Sequence, residues 1–418
     1  MVATIKHSDL KGCLKLPASK SISQRACMLA LLNYGTTSIS NIGISNDEIN
    51  IVEAIKKLGA SCYINGDEII IKSSGNYSFK GNVNAGESGL GLRMLVPILS
   101  LSENENQIIT EGSLKQRPTD FEILKDLGVR ISSENGSIKV KGPLLPKNIK
   151  IDGSTGSQYL TGLLIAFANA CRSDVIIEVE NLVSKPYIDI TIEMLRLFSC
   201  NIQHQDYKTF FISPRTKIER SIKINVESDW SNAAFFLVAG AISGEVVINN
   251  LEHGSSQGDK AIIKVLKSSN AGLEIKENKI RSYKSGKLSA FNFDATDNPD
   301  LFPPLVALAS FCKGTSVIKG VNRLLIKESN RAKSLKEVFT RMGINVRIEK
   351  NEMFILGGSK IKSVTVKSHN DHRIVMAVAI AAIASNGILN IEGAEAVNKS
   401  YPLFFEHLKS LGANVLLT

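Results

Sequence analysis

Aromatic residues are scarce in this chain. They make up 6% of it, with a single Trp. So few ring faces argue against a platform on which nucleic-acid bases stack. Long apolar runs are missing too. The longest, such as Ala233–Ile242 and Val375–Ala384, fall well short of the roughly 20 residues that span a bilayer. The opening MVATIKHSDL carries no apolar signal core. A soluble, cytoplasmic protein with no membrane partner is therefore expected. The six cysteines (Cys13, Cys27, Cys62, Cys171, Cys200 and Cys312) include no CxxC pair. Several lie in apolar helical stretches and read as buried free thiols in a reducing compartment. His369 and His372 are three apart, but on a turn with no thiol or carboxylate set at ligand spacing, so no metal site is expected.

What the chain does have is positive charge. Lys and Arg outnumber Asp and Glu by 50 to 40, a formal net charge of +10. Lysines solvated on helix faces would explain that, and so would an anionic small substrate or a nucleic acid. At 418 residues, two domains are the natural expectation.

A pattern about 70 residues long runs through the chain six times. Each unit opens with a helix apolar nearly all round, such as Ser23–Asn33. A strand follows, as in Gly35–Ile42, then a polar turn, a second helix and more strand. The first helices begin near Ser23, Gly89, Ser157, Ser231, Leu301 and Asp371. The second helices end at Gly59, Gly128, Ser199, Gly272, Gly343 and Gly412, mostly the residue that closes helices in the left-handed conformation. The second helix is amphipathic: Ile51, Ala54, Ile55 and Leu58 share a face, with Glu53, Lys56 and Lys57 outside. A helix apolar all round must be buried. The expectation is an α/β (α+β) protein of two similar domains, each with three βαβαββ-type units and buried central helices. A closed arrangement is expected rather than a solenoid. The join is placed near Val226–Asp229. The first domain would run 18–227 and the second 228–418. The strand-like start at residues 5–16 could pair with either half.

The polar oddities concentrate just before helices, where free N–H groups and the macrodipole favour anions. Lys20, Ser21 and Arg25 gather at the first helix. GESGLGLR at 86–93 puts Gly89 where backbone can approach a ligand closely, and Arg117 follows in KQRP. Ser157 and Gln158 open the third unit, and Ser184 precedes its second helix. Asp300 stands where a helix N-cap is expected. Lys327, Glu328 and Arg331 follow, a set that a surface salt-bridge cluster would also explain. Arg373 opens the sixth unit, and Lys399 precedes its last helix. Cations at so many repeat turns suit a multiply anionic ligand pair. Asp300 and Glu328 are carboxylates among cations, a setting for acid–base work.

With these residues in view, the chain resembles the 5-enolpyruvylshikimate-3-phosphate synthases over essentially its whole length. The carrying motifs are SKSISQR (19–25), KQRP (115–118), GSQYLTGLL (156–164), LVSKPYIDIT (182–191), QGD (257–259), KESNR (327–331), NDHR (370–373) and KSYP (399–402). The resemblance implies two three-unit domains that close on substrates, with the N-terminal strand (1–17) belonging to the second. It implies transfer of the enolpyruvyl group of phosphoenolpyruvate to the 5-hydroxyl of shikimate 3-phosphate, with release of phosphate. Asp300 would be the base, and Glu328 with Lys20 the proton donor set. Lys20, Ser21, Arg25, Ser157, Gln158, Ser184, Asp300 and Lys327 would hold shikimate 3-phosphate. Lys20, Gly89, Arg117, Gln158, Arg331, Arg373 and Lys399 would hold phosphoenolpyruvate. No cofactor, metal or nucleic acid is expected, and a monomer is.

There are departures from the family's pattern. Ala18 stands where Gly is usual and Gly156 where a phosphate-binding Ser is usual. Arg323 stands near a usual Asn, and Leu325 and Asn330 replace a usual Arg and Asp. Three rival readings are weighed. The sister transferase acting on UDP-N-acetylglucosamine usually carries a reactive Cys shortly before the Arg-Pro. Here that stretch is Gly112-Ser113-Leu114-Lys115-Gln116. A basic nucleic-acid-binding protein would show a steep salt slope on random DNA. A catalytically dead paralogue fits poorly with Lys20, Asp300, Glu328 and Lys399 all being present.

Overall fold

The computed structural model describes residues 1–117 and 121–418, so Pro118 of the KQRP motif lies outside the described residues. The chain divides into two compact units, Ala18–Glu227 and Met1–Pro17 with Ser228–Thr418. Each unit has its own apolar core.

Among the described residues there are six four-stranded sheets, three in each unit. The unit spanning 149–212 shows the repeat plainly. Strand Ile149–Asp152 feeds helix Ser157–Ala170, and strand Val175–Glu180 returns parallel to the first. Helix Pro186–Leu197 follows, then the antiparallel hairpin Ile202–Gln205 and Thr209–Ile212. That is the expected βαβαββ order. Each sheet combines one parallel pairing with two antiparallel ones, and in four of the six the parallel pair is joined across the first helix.

The exception to sequence order lies at the chain start. Strand Leu10–Lys15 pairs in parallel with Gly244–Asn249 of the unit completed by 228–418. Strand Arg220–Asn225 takes the corresponding place beside Tyr34–Ser40. Strand Val2–Ile5 is flanked by Leu389–Glu392 and Val415–Leu417. The ambiguity over residues 5–16 thus resolves toward the second half of the chain.

The first helices are buried as their composition demands. In Trp230–Ser243, every residue except Ser231 is buried. In His372–Ile383 all are. Full burial of each large apolar side chain contributes about 1.5–3 kcal/mol, so these helices anchor the units and hold their N-terminal turns in place. The second helices lie half out. In Asn46–Lys57, Ile51, Ala54 and Ile55 are buried, while Glu53 and Lys57 are exposed.

One helix closer differs from expectation. The helix Ile262–Ser268 ends at Asn270, with φ of 60°, and Gly272 instead begins the strand Gly272–Lys276. Asn tolerates the left-handed conformation because its short polar side chain can bond locally. A Gly two residues on therefore misleads a pattern search.

The thiols follow their surroundings. Cys27, Cys171, Cys200 and Cys312 are buried, Cys62 is half-buried, Cys13 is exposed, and all six are free. Among the described residues, no helix is long and apolar enough to cross a membrane.

Candidate active site

In the unit Ala18–Glu227, three helix starts carry the polar residues. Lys20 is the first residue of helix Lys20–Leu32, and its Nζ pairs with Asp47 Oδ2 at 2.8 Å. Arg25, one turn on, is 1% exposed. Its Nε donates to Thr191 Oγ1 (2.9 Å) and Nη1 to the Ser21 carbonyl (2.8 Å). Nη2 donates to Thr161 Oγ1 (3.4 Å) and the Tyr187 carbonyl (3.1 Å). All four acceptors are neutral. Burial pushes this guanidinium down to about 10, only partly offset by Tyr187. A buried cation satisfied only by neutral groups is costly and gains most from an incoming anion.

Ser157 is buried at the start of helix Ser157–Ala170. Its N-cap, Gly156, has φ of 134°, a conformation that side-chain-bearing residues rarely adopt. Here the missing serine of the family pattern coincides with a backbone need for glycine. Ser184 is buried with φ of 60°. A non-glycine residue in that region marks local strain of the kind that gathers at ligand sites.

Gly89, first residue of helix Gly89–Leu99, is surrounded by polar side chains. A Cβ placed on it would lie 3.1 Å from Arg93 Nη1, 3.2 Å from Arg117 Nη1 and 3.4 Å from Gln158 Oε1. Three side chains from different elements therefore converge on one helix N-terminus. Arg93 Nη1 donates to the Gly89 carbonyl (3.2 Å) and to Gln158 Oε1 (3.3 Å). Arg117 Nη2 donates to Ser113 Oγ at 2.9 Å, and Glu87 holds that serine. Burial first, and the neighbouring charge of Arg117 second, push Arg93 down to about 10. Two guanidiniums over one helix start are an arrangement suited to an anion.

The second set lies in the unit that contains 228–418. Asp300 sits in the single-turn 3-10 helix Pro299–Leu301 and makes no cap bond to the following helix, Phe302–Phe311. The simple N-cap alternative therefore fails. Its Oδ1 accepts from Arg331 Nη1 and its Oδ2 from Arg373 Nη2, each at 2.9 Å. Arg331 is 0% exposed, so the surface salt-bridge alternative fails as well. Its Nε donates to Asp371 Oδ2 at 2.9 Å, and its Nη2 to Asp371 Oδ1 at 3.2 Å and to Glu328. Asp371 also caps helix His372–Ile383 through the Arg373 N–H (3.0 Å). Lys399, at the end of the turn Ala394–Lys399, donates from Nζ to the Asn370 carbonyl at 2.8 Å.

Electrostatics within this set are strong. Desolvation opposes the charge on Asp300, but Arg373, Lys327 and Arg331 together outweigh it and hold the carboxyl well below its usual range. Burial pushes the Lys327 ammonium down to about 8, against the pull of Asp300 and with repulsion from Arg331 and Arg323. Asp259, of the QGD motif, is pushed up to about 6 by burial and by the charge of Asp300, while Arg373 pulls the other way. Its Oδ2 accepts from Ser231.

Each unit thus gathers its own share of the residues singled out in the sequence. Lys20, Ser21, Arg25, Gly89, Arg117, Ser157, Gln158 and Ser184 belong to one, and Asp300, Lys327, Glu328, Arg331, Arg373 and Lys399 to the other. Sequence reasoning overlooked Arg93, although it ends the quoted GESGLGLR and lies one turn into an apolar helix, as Arg25 does. It also overlooked the acids that hold the cations, Asp47 and Asp371. Asp371 was within sight in NDHR as a charged residue at a buried helix start. Among the described residues, no cluster of His, Cys, Asp and Glu is placed to hold a metal ion.

Comparison with known proteins bears on the whole chain. The family model for EPSP synthase (3-phosphoshikimate 1-carboxyvinyltransferase) matches residues 5–408. The 3-phosphoshikimate 1-carboxyvinyltransferase of Clostridium kluyveri is 35% identical over 417 residues, covering 99% of this chain and 97% of that one. The protein of the same description from Clostridium perfringens is also 35% identical, covering 98% and 97%. Among solved structures, EPSP synthase of Acinetobacter baumannii superposes with a TM-score of 0.84 at 25% identity, covering 100% of both chains. The enolpyruvyl transferase NikO of Streptomyces tendae shares the fold, with a TM-score of 0.79 at 15% identity over 99% of this chain and 98% of that one. By its full-length family match and these relatives, the chain belongs to the EPSP synthase (3-phosphoshikimate 1-carboxyvinyltransferase) family.

Proposed function

We propose a division of labour among these residues for the family's reaction. The chain is a 3-phosphoshikimate 1-carboxyvinyltransferase, an enzyme of aromatic amino acid biosynthesis. The carboxyvinyl group of phosphoenolpyruvate passes to the 5-hydroxyl of shikimate 3-phosphate, and phosphate leaves. The hydroxyl oxygen bonds to C2 of the enol while its proton goes to Asp300. C3 gains a proton, for which Glu328 and Lys20 are the donor set. The C2–O bond to phosphate then breaks from the tetrahedral intermediate, with return of the C3 proton. Positive charge at C2 and negative charge on the departing phosphate both develop along the way. Groups already fixed in place stabilise such charge without reorganising.

Arg25, Ser21, Ser157, Gln158, Ser184 and Lys327 are assigned to shikimate 3-phosphate, together with Lys20 and Asp300. The buried, neutrally bonded Arg25 supports a phosphate partner. Gly89, Arg117, Gln158, Arg331, Arg373, Lys399 and Lys20 are assigned to phosphoenolpyruvate. The convergence of Arg117 and Gln158 on Gly89 supports that grouping. The observation that carries the reading is Asp300, a carboxylate bonded on both oxygens to guanidiniums rather than to a helix end. It is tested by phosphate release, expected only when phosphoenolpyruvate and shikimate 3-phosphate are both present. Turnover with UDP-N-acetylglucosamine in place of the shikimate would overturn the assignment.

A further inference from the structure

Two of the roles just assigned conflict in the structure as it stands. Arg331 and Arg373 are given to the anionic enol phosphate, yet each already spends a donor on Asp300, at 2.9 Å. Asp300 is given the hydroxyl proton, yet a carboxylate held by two guanidiniums is a poor proton acceptor. While the contacts last Asp300 cannot serve as base, and the two N–H groups it takes are closed to a ligand.

The surrounding residues say which contact gives way. Arg331 is buried and also bonded by Asp371 through two nitrogens and by Glu328 through one. Asp371 is itself 0% exposed and tied to the helix start at Arg373 N–H. These bonds fix Arg331 whatever Asp300 does. Asp300, by contrast, is partly exposed, with its side chain 23% accessible, and unlike the 20% accessible Glu328 it bonds both arginines. It rides on a single 3-10 turn. Its charge also matters to the balance. Asp300 faces Lys327, Arg331 and Arg373, so an added anion competes with it for the same cations.

We propose that Asp300 is an internal stand-in for the anionic substrate, occupying donors of Arg331 and Arg373 until the enol phosphate takes them. The exchange is between hydrogen bonds only: a ligand oxygen replaces a carboxylate oxygen on the same N–H groups. Asp300 is then free to meet the hydroxyl, and with its two cations engaged elsewhere its affinity for a proton rises. The base becomes competent when the second substrate is seated. Hydroxyl activation in its absence is disfavoured. This rests on the reaction proposed above and deepens it.

The probe is phosphoenolpyruvate, titrated calorimetrically into the full chain without shikimate 3-phosphate, so that no turnover takes place. If Asp300 competes for the donors, Asp300→Asn and Asp300→Ala should bind it about 10-fold more tightly, the scale of one charge-assisted hydrogen bond. In an Arg373→Gln background the same change should gain much less, because the shared donor is gone. Unchanged or weaker binding in the Asp300 variants would overturn the proposal, as would no detectable binding to any chain. An equal gain in the Arg373→Gln background would reduce the effect to simple charge repulsion and overturn it too. Should the variants not fold, the wild type decides. Its structure with phosphoenolpyruvate bound should show the Asp300 Oδ2 to Arg373 Nη2 contact opened from 2.9 Å, and a bound ligand with that contact intact would refute the exchange. None of these readouts depends on product formation, so failure of the assigned reaction shows separately in the two-substrate phosphate assay.

Discussion

Raising the pH through 8 should cost this enzyme its hold on shikimate 3-phosphate while making the protein itself more stable. The group responsible is Lys327. Burial pushes its ammonium down to about 8, with Asp300 pulling upward and Arg331 and Arg323 repelling. A phosphate set against that ammonium restores the charged form. Between about 8 and the ordinary Lys value near 10.4, the complex then holds a proton that the free enzyme lacks. Affinity falls by about tenfold per pH unit across that window. The full span would be about 300-fold. Solvent reaching the half-buried side chain screens part of it, leaving a loss on the order of tens. The substrate's own phosphate titrates near pH 6 and stays out of the way.

The stability slope has the opposite sign. Folded Lys327 loses its proton near 8 and unfolded Lys near 10.4, so the unfolded chain binds more protons in between and stability rises with pH there. Below about 8 both states are charged, and the burial penalty is complete. The assay is kcat/KM for shikimate 3-phosphate from about pH 6.5 to about 9.5, which reports groups of the free enzyme. Lys327→Arg, which keeps its charge at every pH in this range, should remove the falling limb. A flat wild-type profile, or a limb that persists unchanged in Lys327→Arg, would refute the assignment.

Asp300→Ala should lower kcat by roughly 10²–10⁴-fold, the usual scale for one general base. Because Asp300 makes no cap bond, the fall should come without loss of a helix cap, and a folded variant with near-full turnover would sink the base. Neutralising Arg117, Arg373 or Lys399 singly should raise KM for phosphoenolpyruvate by about 10-fold or more, from charge-assisted bonds worth about 1.5–3 kcal/mol. Steady-state kinetics that stay unchanged in all three would remove them from the phosphoenolpyruvate site. Gly89→Ala would place a methyl 3.1 Å from Arg93 Nη1 and 3.2 Å from Arg117 Nη1. Both are ends of flexible side chains, so the melting temperature should hardly move while KM for phosphoenolpyruvate rises, and an unmoved KM would put the ligand elsewhere.

The repeat was legible because burial is written into composition. A segment such as Trp230–Ser243 carries almost nothing polar, and a helix of that kind has no solvent face to offer. The beginnings of the first helices were readable to within a few residues for the same reason. Short elements gave less away. The second helix of the 82–141 unit is only Ile123–Asp126, preceded by the 3-10 turn Gly112–Gln116, too short for a periodicity to show. The placement of residues 10–15 beside 244–249 was undecidable from the residues alone, because strand LKGCLK would satisfy the same alternation in either half.

At the site, cations were easier to see than the acids that restrain them. An Arg or Lys at a helix start is conspicuous because it opposes the macrodipole. Asp47 and Asp371 sit where acids favour helices anyway, so their ordinary reading hides the partner each one holds. Asp47 is 2.8 Å from Lys20, and Asp371 bonds Arg331 from beneath. The same logic offers an ordinary reading of Asp300 beside that of a base. Its position before Phe302–Phe311 suggested a cap, but the intervening 3-10 turn withdraws it from the helix N–H groups and hands it to two arginines. That one displacement separates a capping aspartate from the proposed base. It depends on Arg331, 31 residues away, and on Arg373, 73 residues away, a distance at which no local pattern can speak. What the sequence does show is the convergence of charge at equivalent turns. Which donors are already taken, and by which carboxylate, belongs to the fold.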